Sequence, residues 1–241
     1  MTVHRSLSPA RDSVAFIATA GPPGGKLMTA GVTVVSGNVA ASPAQVLYQT
    51  PLGVSYPAWS PDGPSIAFVD WDDSDDYFIE VVPSSGLQPG ESPTRLYTAP
   101  HPLALNQPEW SRAGDRLFFT EYNQDVPGSY VIKALDLDVY GNPSGTELIL
   151  SDPRFGNGCG EVSVAWTRPS LAFGAGGYIY VLDLDTGSVT PICGGGAPAW
   201  SPDDSMILFS ITSKGKTVLQ TITLATGPIT TIGAGSDPDW K

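Results

Sequence analysis

A tryptophan-centred phrase returns along this chain, each time followed at a near-constant distance by a second aromatic. The fullest copy runs Pro57-Ala58-Trp59-Ser60-Pro61-Asp62-Gly63 and continues into Ile66-Ala67-Phe68. Further copies surround Trp110 and Phe119, Trp166 and Phe173, and Trp200 and Phe209. A degenerate copy opens the chain at Leu7-Ser8-Pro9 with Phe16, and a truncated one closes it at Pro238-Asp239-Trp240. The markers Leu7, Trp59, Trp110, Trp166, Trp200 and Trp240 are 52, 51, 56, 34 and 40 residues apart. The aromatic follows its marker by 9 residues in four copies and by 7 at Phe173, which reads as a turn two residues shorter. A constant phrase between loops of free length means one supersecondary unit copied along the chain, so the fold is an array.

Each unit reads as four short strands. In the second, Val54 to Ser60 is a strand ending around Trp59, Pro61-Asp62-Gly63 is a turn, and Ser65 to Trp71 alternates with Ile66 and Phe68 on one face. Tyr77 to Val82 and Thr94 to Thr98 supply the third and fourth strands. The fourth unit is the most compact, with strands at Val162 to Trp166, Leu171 to Gly174, Tyr178 to Leu182 and Val189 to Cys193. Short β-rich runs bounded by Gly and Pro turns, with no sustained helical period, predict an all-β protein. Tandem four-stranded units of about 40 to 45 residues are the signature of β-propeller blades.

The phrase Pro-x-Trp-Ser-Pro-Asp-Gly followed by Ile-Ala-Phe resembles the WD40-like repeat of the TolB type, also called PD40. Residues Pro57 to Phe68 match it closely, and Ala197 to Phe209 match with Asp204 in place of Gly. Around Trp110 the turn becomes Arg112-Ala113-Gly114-Asp115, and after Trp166 it becomes Thr167-Arg168-Pro169. The resemblance covers essentially the whole chain. It implies a single propeller domain over 1–241, with units near 7–58, 59–109, 110–165, 166–199 and 200–241. TolB-type propellers usually have six blades and five units are counted here. A closed five-bladed ring is expected because closure removes sheet edges, with six blades or part of a larger propeller as the alternative. The family also implies a periplasmic or extracellular setting, although no signal peptide is legible at the N-terminus.

Composition narrows the partners. A net charge of −12 argues against nucleic acid, which needs clustered Lys and Arg. It suits a basic partner, cations, or simple solubility. No run of 18 apolar residues predicts a membrane span. Cys159 and Cys193 each lie seven residues before their unit's Trp and fit no Cys-x-x-Cys motif; two buried thiols are expected, with a bridge as the alternative.

Catalytic constellations are sparse. His4 and His101 are the only histidines and belong to no metal-ligating or Ser-His-Asp context. Gly194-Gly195-Gly196 precedes a strand and is a loop. Glu109, Glu161 and Asp239 sit on first strands, where a pair of carboxylates about 5 to 9.5 Å apart would suit glycoside chemistry. Asp70, Asp72, Ser74 and Asp76 alternate like the first half of a calcium loop, but the sixth-position Gly and twelfth-position Glu are missing. A solvated acidic hairpin is the simpler reading.

The same loop carries Trp71, which falls outside the phase of the repeat and reads as a contact residue together with Asp72 and Asp73. The loops Ala20 to Leu27 and Tyr122 to Ser129 lie on the same face and are longer than Gly174 to Gly177. Function on repeat scaffolds gathers on the variable-loop face. The sequence therefore predicts a non-catalytic scaffold presenting loops and a central cavity to a protein or peptide. The alternatives are a carbohydrate-binding or glycan-processing propeller, and the gating propeller of a peptidase-type protein.

Overall fold

The computed structural model describes residues 5–19, 24–35, 38–155, 160–224, 227–236 and 238. These form strands and no helix, and the strands are grouped into five antiparallel sheets. Blade 1 holds β1 (Arg5–Leu7), β2 (Ser13–Thr19), β3 (Gly25–Val35), β4 (Asn38–Ala41) and β5 (Gln45–Thr50). Blade 2 holds β6 (Val54–Trp59), β7 (Ser65–Trp71), β8 (Tyr77–Pro83) and β9 (Thr94–Ala99). Blade 3 holds β10 (Leu103–Trp110), β11 (Arg116–Asn123), β12 (Val131–Leu137) and β13 (Pro143–Leu150). Blade 4 holds β14 (Val162–Val164), β15 (Ser170–Ala175), β16 (Tyr178–Asp183) and β17 (Val189–Gly194). Blade 5 holds β18 (Gly196–Trp200), β19 (Met206–Ser213), β20 (Lys216–Thr223) and β21 (Ile229–Ala234).

The blades stand in a ring, giving a five-bladed β-propeller whose first strands line the axis. In the truncated copy at Pro238-Asp239-Trp240, Pro238 alone is among the described residues. His4, Cys159, Asp239 and Trp240 lie outside them.

The hydrophobic core is a series of seams between blades. Ala15, Leu27 and Leu47 of blade 1 pack against Trp59, Ile66 and Phe68 of blade 2. The same arrangement recurs from blade 2 to 3 around Phe119, from 3 to 4 around Phe173, and from 4 to 5 around Phe209. The four phenylalanines are fully buried. This explains their strict spacing, because each fills the joint with the preceding blade and burying an aromatic there supplies much of the stability.

Two features depart from the sequence reading. In blade 1, β3 is long enough to pair twice, with β5 at Gly25 to Thr29 and with β4 at Val32 to Val35. The blade therefore has a fifth strand. The second concerns Trp166. In four blades the first turn closes with one backbone bond spanning five residues: Ser8 to Ser13, Ser60 to Ser65, Ser111 to Arg116, and Ser201 to Met206. In blade 4 the same bond joins Ala165 to Ser170. That turn has lost no residues. Val164, paired with Leu171, stands where Trp59 pairs with Ile66, and Trp166 sits two residues later, inside the turn. The equivalence of Cys159 and Cys193, counted from Trp166, falls with it.

Candidate functional site

The lower face, where the first strands end, is built by those five turns. In the turns of blades 1, 2, 3 and 5 a left-handed position is held by Arg11, Gly63, Gly114 and Asp204. Asp204, with φ 54°, is 6% exposed and uses its carboxylate across the seam. It accepts from the Trp166 amide at 2.7 Å and from the Thr167 amide and hydroxyl, both at 2.6 Å. Those bonds hold the turn that carries the displaced Trp166. Arg168 stacks on Trp200 at 4.4 Å and donates to the Asp204 carbonyl at 2.6 Å. In blade 2 the matching carbonyl, that of Gly63, accepts the Trp59 indole N–H at 2.7 Å. With that acceptor engaged by Arg168, the buried Trp200 indole N–H has no hydrogen-bond partner among the described residues.

A recess opens at this lower end of the axis, between Trp59, Trp110, Trp166, Trp200, Glu109 and Arg112. Arg112 stacks on Trp166 at 4.1 Å. Glu109 occupies the wall position held by Ala58 and Ala199 in blades 2 and 5, and by Ser6 and Ser163 in blades 1 and 4. The two serines accept the backbone amides of Trp59 and Trp200 from the following blade.

Glu161 is not on a strand. It precedes β14 and lines the upper recess with Tyr56, Gln107 and Arg5. Ser163 shares the level of Glu109, and Glu161 lies two residues higher, about 7 Å along the strand direction. Glu109 lines the lower recess and also the mid-channel space that it shares with Arg5, Gln107 and Pro238 of the upper recess.

The upper mouth of the channel is marked by a repeated bulge. Tyr56, Gln107 and Ala197 have positive φ, each is followed by Pro, and each breaks the pairing of its first strand. β14 pairs without a bulge.

The upper face also carries the loops between second and third strands. Trp71 ends β7, stacks on Tyr77 at 5.8 Å, and covers Gly53 so closely that a Cβ there would collide with the indole. Trp71 has a counterpart. It follows Phe68 by three residues, as Tyr122 follows Phe119, and Tyr122 stacks on Tyr130 at 4.5 Å. These are matching cross-strand pairs at the tips of consecutive blades. The corresponding tips end in Gly176 in blade 4 and in Thr212 facing Thr217 in blade 5.

Tyr56 lies beside both pairs. Its phenol is pushed up to about 12, first by burial, then by the nearby Glu161, Tyr122, Tyr130 and Tyr77. Burial, Tyr122 and Asp75 raise Tyr77 as well. All five rings are half-buried. The Tyr122–Tyr130 pair carries no repeat phrase. Its legible signal was the shared offset of Trp71 and Tyr122 from the core phenylalanines.

The acidic loop beside Trp71 is ordered by its own carboxylates. Asp72 accepts the amides of Ser74 and Asp76, at 2.9 and 3.2 Å. Asp76 accepts the His101 amide at 2.8 Å from the neighbouring connection. Asp70 is buried and accepts the Tyr48 hydroxyl at 2.8 Å and the Trp71 amide at 2.7 Å. Asp73 and Asp75 are exposed. Among the described residues no group of three His, Cys, Asp or Glu is placed to hold a metal, and no helix is long and apolar enough to cross a membrane.

No protein-family model matches this sequence, and no curated protein matches it. Solved structures do. TolB from Acinetobacter baumannii superposes with a TM-score of 0.73 at 16% identity, over 98% of this chain and 56% of that one. A putative TolB from Agrobacterium tumefaciens gives 0.72 at 15% identity, over 98% of this chain and 82% of that one. A chain of a nidogen/laminin complex gives 0.62 at 15% identity, over 96% and 79%. Peptidases and an oligogalacturonate lyase also match. At such identities the likeness is one of fold.

Proposed function

We propose that this protein is a non-catalytic propeller that binds a protein or peptide partner on its upper face, around Trp71, Asp72 and Asp73 and the adjoining channel mouth. The observation that carries this reading is the pair of aromatic tips, Trp71–Tyr77 and Tyr122–Tyr130, placed side by side on blades 2 and 3 and missing from blades 4 and 5. The scaffold does not need them, since blades 4 and 5 form without them. Half-buried aromatic rings are the side chains that most often anchor protein contacts. The TolB-like fold supports a protein partner and a periplasmic or extracellular setting. The test is a pull-down from the source organism's extract. A specific partner retained by the wild type and lost by Trp71→Ala and Tyr122→Ala supports the reading, and equal retention by all three contradicts it.

A second reading draws on the lower recess, where the Trp110 and Trp166 rings, Arg112 and Glu109 face one space. Aromatic faces with charged hydrogen-bonding groups also suit a glycan. In this reading a glycan array gives binding that is lost on Trp166→Ala, and any turnover falls on Glu109→Gln. The likeness to peptidases supports a third reading as a gating propeller, which predicts a catalytic domain on the same polypeptide.

A further inference from the structure

We infer that the segment seated on the upper face of blades 2 and 3 is cationic, presenting an arginine or lysine side chain to the aromatic cluster around Tyr56 with its charge toward Glu161. The inference rests on the upper-face reading above and adds the chemistry of the partner. Four of the five rings are phenols, and three of them, Tyr77, Tyr122 and Tyr130, lie close enough to oppose the ionisation of Tyr56 together with Glu161. Such a cluster offers π faces and hydroxyl oxygens, and both attract a cation.

Charge points the same way. The loops at 72–76 and 124–130 hold five carboxylates, Asp72, Asp73, Asp75, Asp76 and Asp125, and no lysine or arginine. Glu161 adds a sixth at the channel mouth, beside Tyr56, against the single cation Arg5 among the residues lining that recess. An anionic segment would meet repulsion from this rim. An apolar one would strip water from carboxylates and give nothing in return. A guanidinium or ammonium satisfies both the rings and the rim, and the acids speed its approach.

The test is a random peptide display library selected on the wild type and on Trp71→Ala/Tyr122→Ala. Peptides retained only by the wild type should be enriched in arginine and lysine. A synthetic copy of the strongest should lose about tenfold in affinity when its arginine becomes citrulline, and similarly on the isosteric Glu161→Gln, with a melting curve of that variant as the check on its fold. Its affinity should also fall with added salt. Patch-dependent peptides without cationic enrichment, or indifferent to citrulline and to Glu161→Gln, overturn the inference and leave the upper-face reading standing. A library with no patch-dependent binders overturns both.

Discussion

Trp71 and Tyr122 occupy the same place in consecutive blades, each three residues past the phenylalanine that fills its seam and each stacked on a ring of the following strand. A ring at that place in only two neighbouring blades forms one continuous patch. Replacing Trp71 with Ala should weaken the bound partner by about 2 kcal/mol, roughly thirtyfold, apart from the stability lost with its stack on Tyr77 and its cover over Gly53. Isothermal titration and a melting curve on the same sample separate the two effects.

The seams beneath that patch carry a second repeated device. Tyr48 donates to Asp70 at 2.8 Å across blades 1 and 2, and Tyr97 donates to Glu121 at 2.7 Å across blades 2 and 3. Lys133 and Arg95 balance the neighbouring acids Glu121 and Glu80. Tyr48→Phe leaves the buried Asp70 with one acceptor contact fewer and should cost about 1 to 3 kcal/mol at neutral pH. Burial holds the Asp70 carboxyl above its ordinary 3.8. The native state therefore takes up the proton before the unfolded state does, and ionised Asp70 costs stability above that raised value. As pH falls toward 3.8 the carboxyl becomes neutral and the penalty of Tyr48→Phe should shrink. Denaturant unfolding of both proteins across that range is the check, and a penalty independent of pH would contradict the assignment.

Asp204 combines a left-handed backbone with three bonds to the blade 4 turn. Asp204→Ala removes the bonds and keeps the strain, and should cost about 2 to 4 kcal/mol. Asp204→Gly removes both and should cost less. Asp204→Asn tolerates the backbone and retains acceptor capacity, so it should cost least. Chemical denaturation ranks the three variants, and the indole fluorescence of Trp166 reports whether the turn has shifted.

The Tyr56 phenol tests the electrostatics of the upper mouth. Its native pKa of about 12 exceeds the ordinary 10, so its contribution to stability is complete below pH 10 and is lost as pH rises toward 12. In an absorbance titration of phenolate, wild type minus Tyr56→Phe should isolate one tyrosine ionising at the high end. Glu161→Gln should bring that step down, because a nearby negative charge is gone.

Much of the architecture was legible, for a physical reason. Seam-filling phenylalanines and turn-forming Ser-Pro-Asp-Gly segments are needed by every blade, so they recur, and β7 runs from Ser65 to Trp71 as the alternation of Ile66 and Phe68 implies. Trp166 misled because a large aromatic looks alike in a sequence whether it ends a strand or lies in the next turn. The backbone bond from Ala165 to Ser170 distinguishes the two. The outer hairpin of blade 1 escaped because β3 runs straight through a point where other blades turn. At the candidate site, Trp71 stood out only as an exception to the repeat. The nearness of its partner Tyr77 to Tyr56 and Tyr122 depends on blades 2 and 3 lying side by side, which spacing along the chain does not display.

The most direct measurement of the central claim is hydrogen exchange on the protein alone and with the partner recovered by pull-down. Binding at the upper face predicts slowed exchange at 53–56, 71–77 and 122–130. Slowing confined to the lower-face turns, 60–65, 111–116, 165–170 and 201–206, with the upper loops unchanged, would contradict it.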